Sequence, residues 1–96
     1  IGIPADTAQY AFARDKLTPH PINTYASALS LRAPLGAGVK KIYLACTNPP
    51  YKPVAATHDW VKGQPDWIWE ELNSSHSAPL LAPEMVVEKL LALSAL

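Results

Sequence analysis

One run of consecutive apolar residues does most to limit how this chain folds. Every residue from Ile42 to Cys46 is apolar, and the segment that follows, 47–53, contains three prolines. Proline lacks a backbone N–H and has a fixed φ, so regular structure does not continue through that segment. A short strand without polar alternation is typical of a parallel sheet with helices on both faces. The run therefore predicts a buried strand over 39–47 in an α/β protein.

The rest of the chain reads as helices with one further strand. Helices are predicted over 5–16, 22–31 and 54–62 and from Pro83 onward, and a second strand over Trp67–Leu72. The last helix opens with proline and glutamate, which suit a helix start because of the fixed φ and the helix dipole. From residue 39 onward the order is strand, helix, strand, helix, which predicts a parallel sheet.

Two parallel strands are too few for a stable sheet. An apolar central strand needs neighbours on both of its edges and helices on both faces. We therefore expect the chain to dock on further sheet that a second polypeptide supplies. The chain begins with Ile1 rather than methionine, which we interpret as the start of a fragment or a processed product.

Composition narrows the classes of function. Of the 96 residues, 49% are hydrophobic and 17% are charged, which is not the composition of a disordered segment. The formal net charge is zero, so neither a nucleic acid nor a membrane surface is an expected partner. No apolar stretch reaches the about 18 residues of a membrane-spanning helix. The only cysteine, Cys46, is expected to be a buried structural thiol. The chain carries no recognisable secretory signal, and its localisation stays open.

A small polar loop with a histidine follows the second predicted strand. Residues 73–79 read Asn-Ser-Ser-His-Ser-Ala-Pro, so His76 lies between that strand and the last helix. Imidazole takes up and releases protons near neutral pH, which makes this histidine a candidate general base. A histidine that only satisfies its loop is the alternative.

The other polar side chains form no convincing site. His58 and Asp59 are adjacent and point in different directions on a helix, and no second histidine lies four residues from any of the three. A metal site is therefore not predicted. Glu70 and Glu71 are neighbours on a strand and face opposite sides of the sheet, so they are not a carboxylate pair.

The order and spacing of several motifs resemble the closing segment of α/β-hydrolase-fold enzymes. These motifs are Lys40–Leu44, Gly63–Trp67, Asn73–His76 and Ala82–Glu84. The most similar branch is that of small esterases related to plant methyl esterases and hydroxynitrile lyases. Residues 17–21 with Thr24 and Tyr25 also resemble the passage out of the cap in bacterial members. The resemblance covers nearly the whole chain, but only about the last third of a typical member.

This resemblance implies a specific division of the chain. Residues 1–35 would be the end of a helical cap and its connection. Residues 36–96 would be the C-terminal β-α-β-α part of the core, with the last two parallel strands of the hydrolase sheet and their flanking helices. In this family a nucleophilic serine on a Gly-x-Ser-x-Gly-like elbow precedes an acid and then a histidine. By position, the resemblance makes His76 the catalytic histidine.

Two members of that triad are not where the family would place them. No Gly-x-Ser-x-Gly occurs in the chain, so the nucleophile and much of the oxyanion hole are expected in the second polypeptide. The acid is expected directly after strand 39–47, where no carboxylate occurs. Asn48 stands nearest and is a candidate to orient the imidazole, although an amide cannot stabilise imidazolium as a carboxylate does. Asp59, or an acid from the missing part, is the alternative.

The resulting hypothesis is the C-terminal chain of a serine hydrolase that acts on an ester, lactone or carbamate of a small apolar substrate. No cofactor is expected. Leu80 and Leu81 are candidates for the substrate pocket, with helix packing as an equal alternative. A hydroxynitrile lyase, with Lys52 as its lysine near the acid loop, is one competing function. A non-catalytic ligand-binding protein on the same fold is the other, and the absent acid favours it.

Overall fold

The computed structural model describes residues 2–96, which form five α-helices and a two-stranded parallel sheet. The helices are α1 (Ala8–Lys16), α2 (Asn23–Ala26), α3 (Ala55–Lys62), α4 (Ala78–Leu81) and α5 (Pro83–Ser94), and the strands are β1 (Lys41–Cys46) and β2 (Trp67–Leu72). A 3-10 turn at Lys52–Val54 leads into α3. The α/β class, the bounds of β2 and the start of the last helix at Pro83 are confirmed.

The two strands pair in parallel along their whole length. Lys41 lies opposite Trp67, and the register continues to Cys46 opposite Leu72. The pairing runs on past the strands, because Thr47 N donates to Leu72 O at 3.0 Å. Parallel strands end at the same edge of a sheet, so the loops that follow β1 and β2 are neighbours there.

Helices lie on both faces of the sheet. Successive side chains of a strand point to opposite faces, so Tyr43 and Trp69 share one face and Glu70 lies on the other. From α3, His58 packs edge-on against the rings of Tyr43 and Trp69, at centroid distances of 5.5 and 5.2 Å. From α5, Lys89 Nζ forms an ion pair with Glu70 Oε2 at 2.6 Å. The layers are therefore α3, sheet and α5. The prediction of a buried strand over 39–47 is wrong in part, since β1 covers only Lys41–Cys46 and Ala45 is its one buried residue.

The buried core is small for a chain of this length. Among residues 2–96 the buried apolar residues are Ala45, Val61, Leu72 and Ala78. The accessible surface is 7545 Å², whereas a folded monomer of this length is expected to expose about 5,400 Å². The radius of gyration is 15.8 Å, against about 12.5 Å expected for a self-contained domain. Roughly 2,100 Å² of surface is therefore exposed beyond what such a domain leaves in water.

The prediction of a helix over 22–31 is wrong beyond its first turn. α2 ends at Ala26, and Ser27 is already extended, with φ −78° and ψ 130°. The apolar side chains of this segment include Tyr25 and Leu29, which are 78% and 82% exposed. Apart from the His20 ring, which contacts Tyr25, these side chains remain largely in water, and an isolated helix this short is marginal there.

The structure differs from the sequence prediction in smaller ways at two other places. The first helix begins at Ala8 rather than at residue 5, because Thr7 Oγ1 accepts a hydrogen bond from Tyr10 N at 3.1 Å and caps it there. The segment that contains Leu80 forms the short helix α4, which the sequence did not predict. Within residues 2–96 the helices are all too short or too polar to cross a bilayer.

The ion pair of Asp66 with Lys41 gives a stability prediction. The hydrogen bond from Lys41 Nζ lowers the pKa of the Asp66 carboxyl below its ordinary value. Because the pKa of Asp66 is lower in the folded state than in the unfolded state, its carboxylate stabilises the fold at pH values above the unfolded-state pKa. That contribution is lost as the pH falls through the folded-state pKa. We expect Asp66→Asn to lower the free energy of unfolding slightly at neutral pH and to have no effect in strong acid.

Urea unfolding followed by tryptophan fluorescence over a pH series measures this difference. Asp15→Asn is the matched control, since the ion pair of Asp15 with Arg14 is long, at 3.5 Å, and lies on the exposed surface of α1. A destabilisation by Asp66→Asn that is the same at every pH would contradict the assignment.

Cys46 gives a prediction of reactivity. Burial raises the pKa of the Cys46 thiol, and only the thiolate reacts with alkylating reagents. We therefore expect iodoacetamide to modify the native protein more slowly at pH 8 than it modifies the same protein in urea. The mass increase over time measures both rates. Equal rates in the two conditions would show that the thiol is not protected.

Candidate functional site

Two loops meet at the carboxyl edge of the sheet. We call residues 47–53 the β1 loop and residues 73–77 the histidine loop. Asn48 N donates to Ser74 O at 3.0 Å, and Asn48 Nδ2 donates to Asn73 Oδ1 at 3.0 Å. The ring of Tyr51 stacks on His76, with 4.4 Å between the centroids and 15° between the planes. Three contacts therefore join the β1 loop to the histidine loop.

His76 projects from a firmly anchored turn. Its neighbours Ser75 and Ser77 are each only 9% exposed, whereas the histidine itself is exposed. Ala78 N donates to Ser75 O at 2.9 Å, which closes the turn around His76. Ala78 is buried and starts α4. The backbone on both sides of His76 is thus packed into the protein, and the imidazole is left accessible to a substrate.

An open apolar groove of about 360 Å³ lies beside this histidine. The lining residues are Ile3, Ala13, Leu17, His76, Ser77, Pro79 and Leu80. No acidic or basic side chain other than the histidine lines the groove, so it suits an uncharged apolar group. Of the two leucines considered for a substrate pocket, Leu80 lines this groove and Leu81 does not.

The structure brings neither candidate partner into contact with His76. The side chain of Asn48 is directed to Asn73. Asp59 is exposed on α3, one residue after the His58 that packs on the sheet. The ion pairs formed within residues 2–96 all lie outside the two loops. Within the described chain, His76 therefore has an aromatic neighbour and no carboxylate partner.

Lys52, the lysine of the alternative lyase chemistry, is exposed at the start of the 3-10 turn. It lines a second cavity of about 210 Å³ together with Cys46, Thr47, Pro50, Tyr51, Ala55 and His58. His76 does not line that cavity. Lys52 and His76 therefore do not line a common pocket.

The other two histidines have structural surroundings. His20 Nε2 lies 2.5 Å from Thr24 Oγ1, and its ring is tilted by 57° against Tyr25. His58 is packed between Tyr43 and Trp69 on one face of the sheet. No cluster of three or more metal-ligating side chains forms among residues 2–96. His20 is exposed but does not line the groove, and His58 is packed on the sheet, so His76 is the histidine that borders the groove.

Sequence reasoning missed two features of this site. It did not anticipate the contact of Tyr51 with His76, although parallel pairing, which was predicted, brings the loops after β1 and β2 together. It also did not anticipate that Ala13 and Leu17, from α1 and its end, form one wall of the groove. That contact joins distant parts of the chain and leaves no local pattern in the sequence.

Comparison with known proteins yields no relative. No protein-family model matches the chain, and no similar protein was found among curated proteins or solved structures.

Proposed function

We propose that this chain is the C-terminal chain of a serine hydrolase and that His76 is its proton-transfer residue. The observation that carries the proposal is an exposed histidine on a rigid turn directly after β2, at the carboxyl edge of a parallel sheet. Parallel α/β sheets bind and transform their ligands outside the carboxyl ends of the strands. The order of motifs around His76, which resembles that of α/β-hydrolases, gives the reaction type.

In this proposal the nucleophilic serine belongs to a second polypeptide, the N-terminal part of the same fold. The serine attacks the carbonyl carbon of an ester, lactone or carbamate, and His76 accepts the hydroxyl proton as the new bond forms. His76 then returns the proton to the leaving group. In the second half of the reaction His76 takes a proton from water as the water attacks the acyl group on the serine, and the proton passes to the serine oxygen as the acyl product leaves. Backbone amides of the partner stabilise the oxyanion in both halves. No cofactor takes part in this scheme.

The substrate proposed is small and apolar. The groove beside His76 is lined by aliphatic side chains such as Leu17 and Leu80, and no carboxylate or ammonium group borders it. An acyl or aromatic group that enters the groove leaves water, which favours binding in proportion to its apolar area. A charged group there would lose its hydration without gaining a partner.

The exposed apolar surface of the chain supports the proposal of a partner polypeptide. The excess of roughly 2,100 Å² falls within the range that one side of an obligate interface buries. Large apolar side chains account for much of it, such as Ile22, Leu29 and Val39, which are 74%, 82% and 70% exposed. Each strand also has one edge without a partner in residues 2–96. We propose that the partner continues the sheet beside β1, whose apolar sequence suits a central strand.

One observation favours a different function. No carboxylate contacts His76 in the described chain, and a pocket without a complete triad is compatible with a protein that binds an apolar ligand without transforming it. The hydroxynitrile lyase alternative has less support, because Lys52 and His76 do not share a pocket.

A fluorophosphonate probe tests the hydrolase proposal. It reacts with a serine only when that serine is activated, so the partner of this chain should be labelled in the intact assembly. We expect His76→Ala to slow the labelling about a thousandfold or more, because removal of a triad member has effects of that size. In-gel fluorescence of the assembly, purified through a tag on this chain, measures the rate.

His20→Ala is the matched control, since His20 is bound to Thr24 away from the groove and should leave labelling unchanged. An assembly that is not labelled at all would overturn the serine-hydrolase proposal. Binding of an apolar ligand by an unlabelled assembly would support the non-catalytic alternative in its place.

A further inference from the structure

The contact between Tyr51 and His76 differs from the other tyrosine–histidine contacts of the chain. Three such pairs occur within residues 2–96. Tyr25 is tilted by 57° against His20, and Tyr43 meets His58 edge-on at 79°. Only Tyr51 lies face to face with its histidine, at 15° and with the shortest centroid distance, 4.4 Å. The histidine that lines the apolar groove is therefore the one with a parallel aromatic neighbour.

A face-to-face stack fixes the imidazole without using its nitrogens. The N–H bond and the lone pair of imidazole lie in the plane of the ring. An aromatic ring packed on one face therefore restricts rotation of that plane and leaves both nitrogens free for hydrogen bonds at the ring edge. Proton transfer between a serine and a leaving group requires such a fixed orientation.

Tyr51 is itself held in place. Its carbonyl oxygen accepts a hydrogen bond from Val54 N at 3.2 Å, which closes the 3-10 turn before α3. The β1 loop that carries it is joined to the histidine loop through both the backbone and the side chain of Asn48. The side chain is half-buried. The stack thus joins two anchored loops and is not a contact between two mobile side chains.

The stack also has an electrostatic effect, which concerns the triad carboxylate that the β1 loop lacks. In a serine hydrolase the acid orients the imidazole and stabilises the imidazolium that forms as the serine attacks. Tyr51 comes from the loop in which the resemblance places that acid, and the loop contains no carboxylate. The face of an aromatic ring carries partial negative charge and attracts a cation. The ring of Tyr51 therefore lies where it orients the imidazole and stabilises imidazolium, although more weakly than a carboxylate does.

We propose that Tyr51 is a positioning residue for His76, which holds the plane of the imidazole and stabilises its cationic form through the face of the phenol ring. This inference rests on the proposed hydrolase function. A cation on an aromatic face is worth about a 2- to 30-fold change in a rate, which is less than a buried carboxylate supplies. The effect falls on the step in which imidazolium forms and not on the binding of substrate.

Hydrolysis of 4-nitrophenyl butyrate by the tagged assembly tests this role. We expect Tyr51→Leu to lower kcat about 2- to 30-fold and to leave KM within about twofold of its original value. Tyr51→Phe keeps the ring face and should restore kcat to within about twofold, since the hydroxyl is not used. Tyr10→Leu is the matched control, because Tyr10 stacks on no histidine and does not line the groove.

A spectroscopic readout is independent of activity. With the histidines of this chain labelled with ¹³C in the assembly, the His76 ring protons should carry an upfield ring-current shift. The shift should be lost in Tyr51→Leu and retained in Tyr51→Phe. If the leucine variant does not assemble with its partner, Tyr51→Met serves the same purpose with a longer side chain that fills the loop.

The outcomes separate the two proposals. If His76→Ala hydrolyses the ester as fast as the unmodified assembly, the hydrolase function itself fails. If His76→Ala is inactive but Tyr51→Leu retains full kcat, only the role of Tyr51 fails. A Tyr51→Phe variant as slow as Tyr51→Leu would assign the effect to the hydroxyl group and would also overturn the proposal, as would the absence of a ring-current shift at His76.

Discussion

The parallel pairing of β1 with β2 is the interaction on which the rest of the structure depends. Its register, from Lys41 opposite Trp67 to Cys46 opposite Leu72, ends both strands at one edge. The hydrogen bond from Asn48 N to Ser74 O then draws the following loops together. An antiparallel pair would place those loops at opposite edges, and Tyr51 would not reach His76. The candidate site is therefore a direct consequence of the sheet topology.

In our proposal the chain needs a partner both as a catalyst and as a domain, and the sheet gives the physical reason. α3 and α5 cover its faces, but two strands and a core with few buried side chains leave the large apolar residues of 17–39 in water. A partner that supplies further strands would bury this surface, and in our proposal it also supplies the nucleophile. Folding and catalysis would then depend on one interface, and the exposed position of His76 fits a residue that completes its site only on assembly.

The sequence predicts most of the sheet and little of what surrounds it. The apolar run of β1, the prolines after it and the start of α5 at Pro83 are local signals, and the elements they predict are present. The predicted helix over 22–31 does not form beyond its first turn, because a helical pattern alone does not stabilise a segment whose apolar side chains, such as Leu29, stay largely in water. The Tyr51–His76 stack and the α1 wall of the groove arise from contacts between distant segments, which a single sequence does not encode in any local pattern.

The central claim is that this chain completes a hydrolase whose nucleophile lies in another polypeptide. Intact-mass and peptide sequencing of the species that co-purifies stoichiometrically with the tagged chain tests it most directly. The account predicts a partner that carries a Gly-x-Ser-x-Gly elbow between a strand and a helix. A chain that purifies as a stable, folded monomer, or with a stoichiometric partner that lacks such a serine, would contradict it.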